Sequence, residues 1–127
     1  MHSEENAPVV LVVEDEPVLR MVAHDTLVEG GYAVIEAGNA AEALELLAVR
    51  PDVIAMITDV NMPGEMNGFA LALVVAKMST NIAILVASGA ETPKAGDLPP
   101  GTQFLEKPYA PSALLEFMAK ATGLDSR

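Results

Sequence analysis

Residues 9–16 read Val9-Val10-Leu11-Val12-Val13-Glu14-Asp15-Glu16, and the break at Glu14 organises the reading of the whole chain. The apolar run before it is unbroken and rich in β-branched residues. Such a run suits a strand buried on both faces, as in a parallel sheet sandwiched between helices. Val53 to Thr58 (VIAMIT) and Ile82 to Ala87 (IAILVA) have the same character, and Ala33 to Glu36 and Gln103 to Leu105 are weaker candidates.

Helical patterns fall between these runs. From Pro17 to Glu29, Leu19, Val22, Ala23 and Thr26 repeat at helical spacing, and Gly30-Gly31 stops the helix. Asn39 and Glu42 have capping-box spacing before a helix that runs to Val49, with Leu44 and Leu47 directed inward. Gly68 to Met78 carries Leu71, Leu73, Val74 and Val75. The last helix starts near Pro111 and places Leu114, Phe117, Met118 and Ala121 on one face. Between Ala90 and Thr102, prolines and glycines interrupt any periodicity, so a short or irregular fourth helix, or mostly loop, is expected there. The pattern is (βα)₅, an open parallel sheet with helices on both faces. Residues 1–8 read as a flexible polar segment, 9–122 as the folded domain and 123–127 as a tail.

In open α/β sheets, sites gather beyond the carboxyl ends of the strands. The first run ends in Glu14, Asp15 and Glu16. The third ends in Asp59, the fourth in Ser88-Gly89 and the fifth, after Glu106, in Lys107-Pro108. Carboxylates, a hydroxyl and an ammonium thus converge on one rim. Crowded carboxylates repel unless a cation joins them, and Mg²⁺ prefers oxygen ligands. Asp59 can act as a nucleophile toward a phosphoryl donor, with Lys107 and Ser88 on the phosphoryl oxygens.

Val12-Val13-Glu14-Asp15-Glu16, Thr58-Asp59-Val60-Asn61-Met62-Pro63-Gly64, Ser88-Gly89 and Phe104-Leu105-Glu106-Lys107-Pro108-Tyr109 together resemble the response-regulator receiver domain of two-component signalling, in the family's order, from about Val9 to Ala121. The resemblance implies a flavodoxin-like, doubly wound sheet of order 2-1-3-4-5. It implies Asp59 as phosphoacceptor and Mg²⁺ held by Asp15, Asp59, the backbone carbonyl of Asn61 and Glu14, the last as a ligand or as a holder of metal-bound water. It further implies Ser88 as switch hydroxyl, Lys107 as phosphoryl partner, Phe104 as the aromatic switch and a cis Lys107–Pro108 bond. The phosphoryl donor would be a histidine kinase or a histidine phosphotransfer protein. The output partner is unknown, and homodimerisation on phosphorylation is a further expectation by family likeness.

Composition narrows the alternatives. The formal charge of −11 disfavours direct nucleic acid binding. No apolar run is long enough for a membrane span, and the N-terminus does not read as a secretory signal. Cysteine is absent, which removes disulfides and agrees with a cytoplasmic protein. The seven methionines read as core filling, and His2 and His24 as surface residues without metal-ligand spacing. Three rivals remain. An aspartate-nucleophile phosphohydrolase would carry a carboxylate where Asn61 stands. A receiver-like module acting without phosphorylation would lack one of the acidic pair, the acceptor or the lysine. The third rival is a receiver fragment of a hybrid histidine kinase. The expected protein is a signalling switch without an attached output domain, catalysing only its own phosphorylation and dephosphorylation.

Overall fold

β1 (Val9–Val13) lies inside the sheet, with β2 (Ala33–Ala37) on one side and β3 (Val53–Asp59) on the other. β4 (Ala83–Ser88) pairs with β3, and β5 (Gln103–Glu106) closes the far edge. All pairings are parallel, and the order is β2-β1-β3-β4-β5. The computed structural model describes residues 7–123, so the expected flexible segment falls almost wholly, and the tail all but Gly123, outside the described residues, as does His2.

The unbroken apolar run explains the position of β1. Alternate residues point to opposite faces of the sheet, and both faces of β1 are buried. Val9, Leu11 and Val13 join Met56, Leu71, Val75 and Val86 in one core. Val10 and Val12 join Leu27, Ile57, Leu85, Leu114 and Phe117 in another. The first core is covered by α2 (Ala40–Val49) and α3 (Gly68–Met78), the second by α1 (Pro17–Glu29) and α4 (Ser112–Thr122).

Helix starts follow their caps. The Asn39 side chain accepts from the Glu42 amide at 2.8 Å, while Glu42 reaches back to the Gly38 N–H at 2.7 Å, one residue beyond the usual box. Asn67 caps α3 through the Ala70 amide, which leaves Asp59 uninvolved in capping. None of the described helices is long and apolar enough to cross a membrane.

Two expectations need correction. The short or irregular fourth helix does not form, and the loop alternative holds: residues 89–102 link β4 to β5 without any helix, so α4 is the terminal helix. Pro93, Pro99 and Pro100 remove backbone donors, and turns form around Gly96 and Gly101, both at positive φ. On α1, the periodic pair Leu19 and Val22 does not enter the core. Each is 45% exposed, and Ala23 and Leu27 carry the buried stripe. Leu73 of α3 is likewise exposed.

Candidate functional site

The strand register assembles the site. Thr58 stands opposite Val13, so Asp59, the last residue of β3, comes level with Glu14. Asp59 is level with Ala87, one residue before Ser88, and Ser88 is level with Glu106, one residue before Lys107. Four strand ends thus deliver the four groups to one rim. Glu14 is buried, Asp59 and Lys107 are half-buried, and Asp15 is exposed. The Lys107–Pro108 bond is cis.

Lys107 stands between two carboxylates. Its Nζ lies 3.2 Å from Glu14 Oε1 and 3.2 Å from Asp59 Oδ1. The Val60 amide donates to Asp59 Oδ1 at 2.9 Å, and the Glu16 amide to Glu14 Oε2 at 3.2 Å. Burial, with the repulsion of Asp59 added, holds the Glu14 carboxyl above its ordinary range despite Lys107. Burial alone would lower the Lys107 pKa, but Glu14 and Asp59 outweigh it and hold that pKa above its ordinary value. Lys107 therefore carries its charge throughout the physiological range.

Lys107→Met tests this balance. The substitution keeps the aliphatic stem and leaves Glu14 and Asp59 facing one another without a counter-charge. We expect a loss of about 1–2 kcal/mol in urea unfolding at low salt, because one partner of a half-buried pair is gone. Mg²⁺ affinity should rise, since a fixed cation no longer competes. Unchanged stability at low ionic strength would show that the two pairs contribute nothing net.

Glu14, Asp15 and Asp59 each offer a carboxylate oxygen within 4.8 Å of the others. A cluster of oxygen donors with an excess of negative charge fits a hard divalent cation such as Mg²⁺, which needs only one or two direct carboxylates. Asn61 is exposed just beyond β3, and its side chain is engaged elsewhere: Nδ2 donates to Glu91 Oε1 at 2.8 Å. Ser88 donates to the same oxygen at 3.0 Å. Phe104 is half-buried on β5, opposite Val86, and packs against the core beneath α2 and α3.

Four roles escape sequence reasoning. Glu91 lies in the irregular crossover, where no periodicity marks it. Arg20 donates to the Glu14 carbonyl at 3.1 Å and lies 3.3 Å from Glu36, which also binds His24 at 2.7 Å. Glu16 caps α1, accepting from the Val18 and Leu19 amides. Gly68 lets α3 begin against the end of β3: its amide donates to the Val60 carbonyl at 2.9 Å, and a β-carbon there would collide with the Asp59 carbonyl oxygen.

Known proteins resemble this chain in sequence and fold. A chemotaxis protein CheY homolog of Campylobacter jejuni is 33% identical over 123 residues, covering 92% of this chain and 94% of the relative. The sensor kinase CckA of Brucella abortus is 38% identical over 105 residues, which is 80% of this chain and 11% of that protein. The chain spans about a quarter or less of the length of several curated relatives that it matches. Among solved structures, a response regulator receiver protein from Sinorhizobium medicae superposes with a TM-score of 0.87 at 24% identity, covering 94% of this chain and 97% of that one. The model of the response regulator receiver domain matches residues 10–119, from β1 into α4 and across every strand end that builds the rim, and the chain belongs to that family.

Proposed function

We propose that the chain is a phosphorylation switch in which Asp59 accepts a phosphoryl group from a phosphohistidine of a histidine kinase or histidine phosphotransfer protein. The supporting observation is the Asp59 carboxylate at the end of β3, 3.2 Å from Lys107 and clustered with Glu14 and Asp15. Mg²⁺, held by Glu14, Asp15, Asp59 and the Asn61 backbone carbonyl, would supply positive charge to the phosphoryl oxygens.

The chain's own residues do the rest. One Asp59 oxygen attacks phosphorus as the P–N bond to the donor imidazole breaks, leaving an aspartyl phosphate and a neutral histidine. Lys107 turns from the carboxylates to a phosphoryl oxygen, and the Ser88 hydroxyl donates to another. Movement of Ser88, followed by Phe104, biases the surface formed by residues 90–102, β5 and α4. The output of this cytoplasmic switch is a binding event, with a partner protein or with a second copy. Receiver domains are switches rather than conventional enzymes, and the only chemistry assigned here is the gain and loss of this one group.

The exposed side chains of α1 give a donor protein somewhere to sit. Leu19 and Val22 line a groove of about 390 Å³ together with Glu14, Lys107, Tyr109 and Leu114, so an apolar surface runs up to the acidic rim. A module acting without phosphorylation would have no need for the acceptor, the acidic pair and the lysine in one place.

The test is intact mass after incubation with acetyl phosphate, with and without Mg²⁺, for the wild type and Asp59→Asn. One phosphoryl group is expected on the wild type, dependent on Mg²⁺ and lost in the variant. No gain from acetyl phosphate or from a purified histidine kinase would sink the reading.

A further inference from the structure

Ser88 and Asn61 both direct their donors onto one oxygen of Glu91. The Ser88 hydroxyl donates to Glu91 Oε1 at 3.0 Å and the Asn61 amide to the same atom at 2.8 Å. The reverse direction is also engaged: the Glu91 and Ala90 amides donate to Ser88 Oγ at 2.9 and 3.2 Å. Ser88 is buried, while Glu91 and Asn61 are exposed. A closed loop of bonds therefore ties the last residue of β4 to the first residues of the helix-free crossover.

A serine hydroxyl has a single proton to donate. It can serve Glu91 or a phosphoryl oxygen on Asp59, not both. Glu91 presents the same chemistry as that phosphoryl oxygen: an anionic acceptor beside the rim, in contact with a donor that phosphorylation must recruit. An arriving phosphoryl group therefore meets donors that are already occupied.

Resting on the reading of Asp59 as acceptor, we infer that Glu91 is the resident anion of the phosphoryl cradle. It is a positioning residue that holds the Ser88 hydroxyl and Asn61 amide until the aspartyl phosphate displaces it. Displacement breaks the Ser88–Glu91 and Asn61–Glu91 bonds together. Because the Glu91 and Ala90 amides hold Ser88 Oγ, movement of Ser88 toward Asp59 pulls on the start of the crossover. The anion exchange thus converts phosphorylation into a change in residues 90–102 with no helix to carry it.

The experiment compares wild type, Glu91→Gln and Glu91→Ala. The readouts are Mg²⁺-dependent binding of beryllium trifluoride, a stable mimic of the aspartyl phosphate, and initial labelling by acetyl phosphate. Removing a charge-assisted competitor should tighten beryllium trifluoride binding about tenfold in the alanine variant. Glutamine, which keeps the acceptor without the charge, should fall in between. Without either ligand, Glu91→Gln, which still offers an acceptor to the buried Ser88 hydroxyl, should melt with the wild type, and this separates competition from a structural defect. Equal affinities and rates across the three proteins, or weaker binding in the alanine variant, would overturn the inference. If the wild type and both variants neither bind nor become labelled, the Asp59 reading itself has failed and this inference falls with it.

Discussion

Asp59→Asn will be more stable than the wild type and unable to hold a phosphoryl group. The amide keeps an oxygen for the Val60 N–H, which donates to Asp59 Oδ1 at 2.9 Å, so the local geometry survives. What disappears is one of three negative charges drawn within 4.8 Å of one another. Glu14 gains most, because Asp59 is one of the two influences raising its pKa. Lys107 remains paired with Glu14 at 3.2 Å. We expect a gain of about 1 kcal/mol in urea unfolding at low ionic strength, shrinking as salt screens the repulsion.

The pH dependence has a definite sign. The folded-state pKa of Glu14 is raised above its ordinary 4.5, so the folded protein holds that proton more tightly than the unfolded chain. The associated stability is present below 4.5 and is lost as pH rises through the higher folded-state value. That loss is smaller without Asp59, so the advantage of the variant should open as pH rises through this window and close in acid. Added Mg²⁺ should reverse the order, stabilising the wild type more than the variant. A variant less stable than the wild type at low salt would mean that the Lys107–Asp59 pair outweighs the repulsion.

Gly68→Ala will cost both the fold and the site. A β-carbon on Gly68 would sit 2.8 Å from the Asp59 carbonyl carbon and 2.9 Å from the Val60 α-carbon, besides colliding with the Asp59 carbonyl oxygen. Those neighbours are backbone and cannot rotate away. α3 must then lift from the end of β3 or Asp59 must move, and both disturb a closely packed core. The expected loss is about 3 kcal/mol, at the upper end for overpacking, with a corresponding drop in urea midpoint. Labelling at Asp59 should slow under conditions where the variant is still folded, because its acceptor oxygen has been displaced. Wild-type stability would mean that the α3 start relaxes without strain.

The sheet and most of the rim are legible in the sequence because the same runs encode both. Val9–Val13 can be placed inside a parallel sheet since nothing in it is polar, and the residue ending each run is then located by topology alone. Elsewhere the code is ambiguous. Leu19 and Val22 have the spacing of core residues, but helical periodicity marks an apolar face without saying whether protein or solvent covers it. Glu91 acts through a loop conformation that no short pattern specifies. Gly68 is required by the approach of a strand end that is nearby only after folding. The prolines of residues 90–102 do signal a weak helix, and in the structure they abolish it.

That crossover also bears on how the domain can diversify. A helix at this position would commit a whole face to the core, so that each change of partner risked the fold. Here Leu98 packs against the core and Pro99 is buried, while most of the residues from 89 to 97 are exposed. Beyond the bonds that Ala90 and Glu91 make to Ser88 and Asn61, the strand ends of the rim are held by register with their neighbours. Residues 92–97 can therefore be rewritten or resized as a cassette, changing what the domain presents to a partner while the rim stays in place.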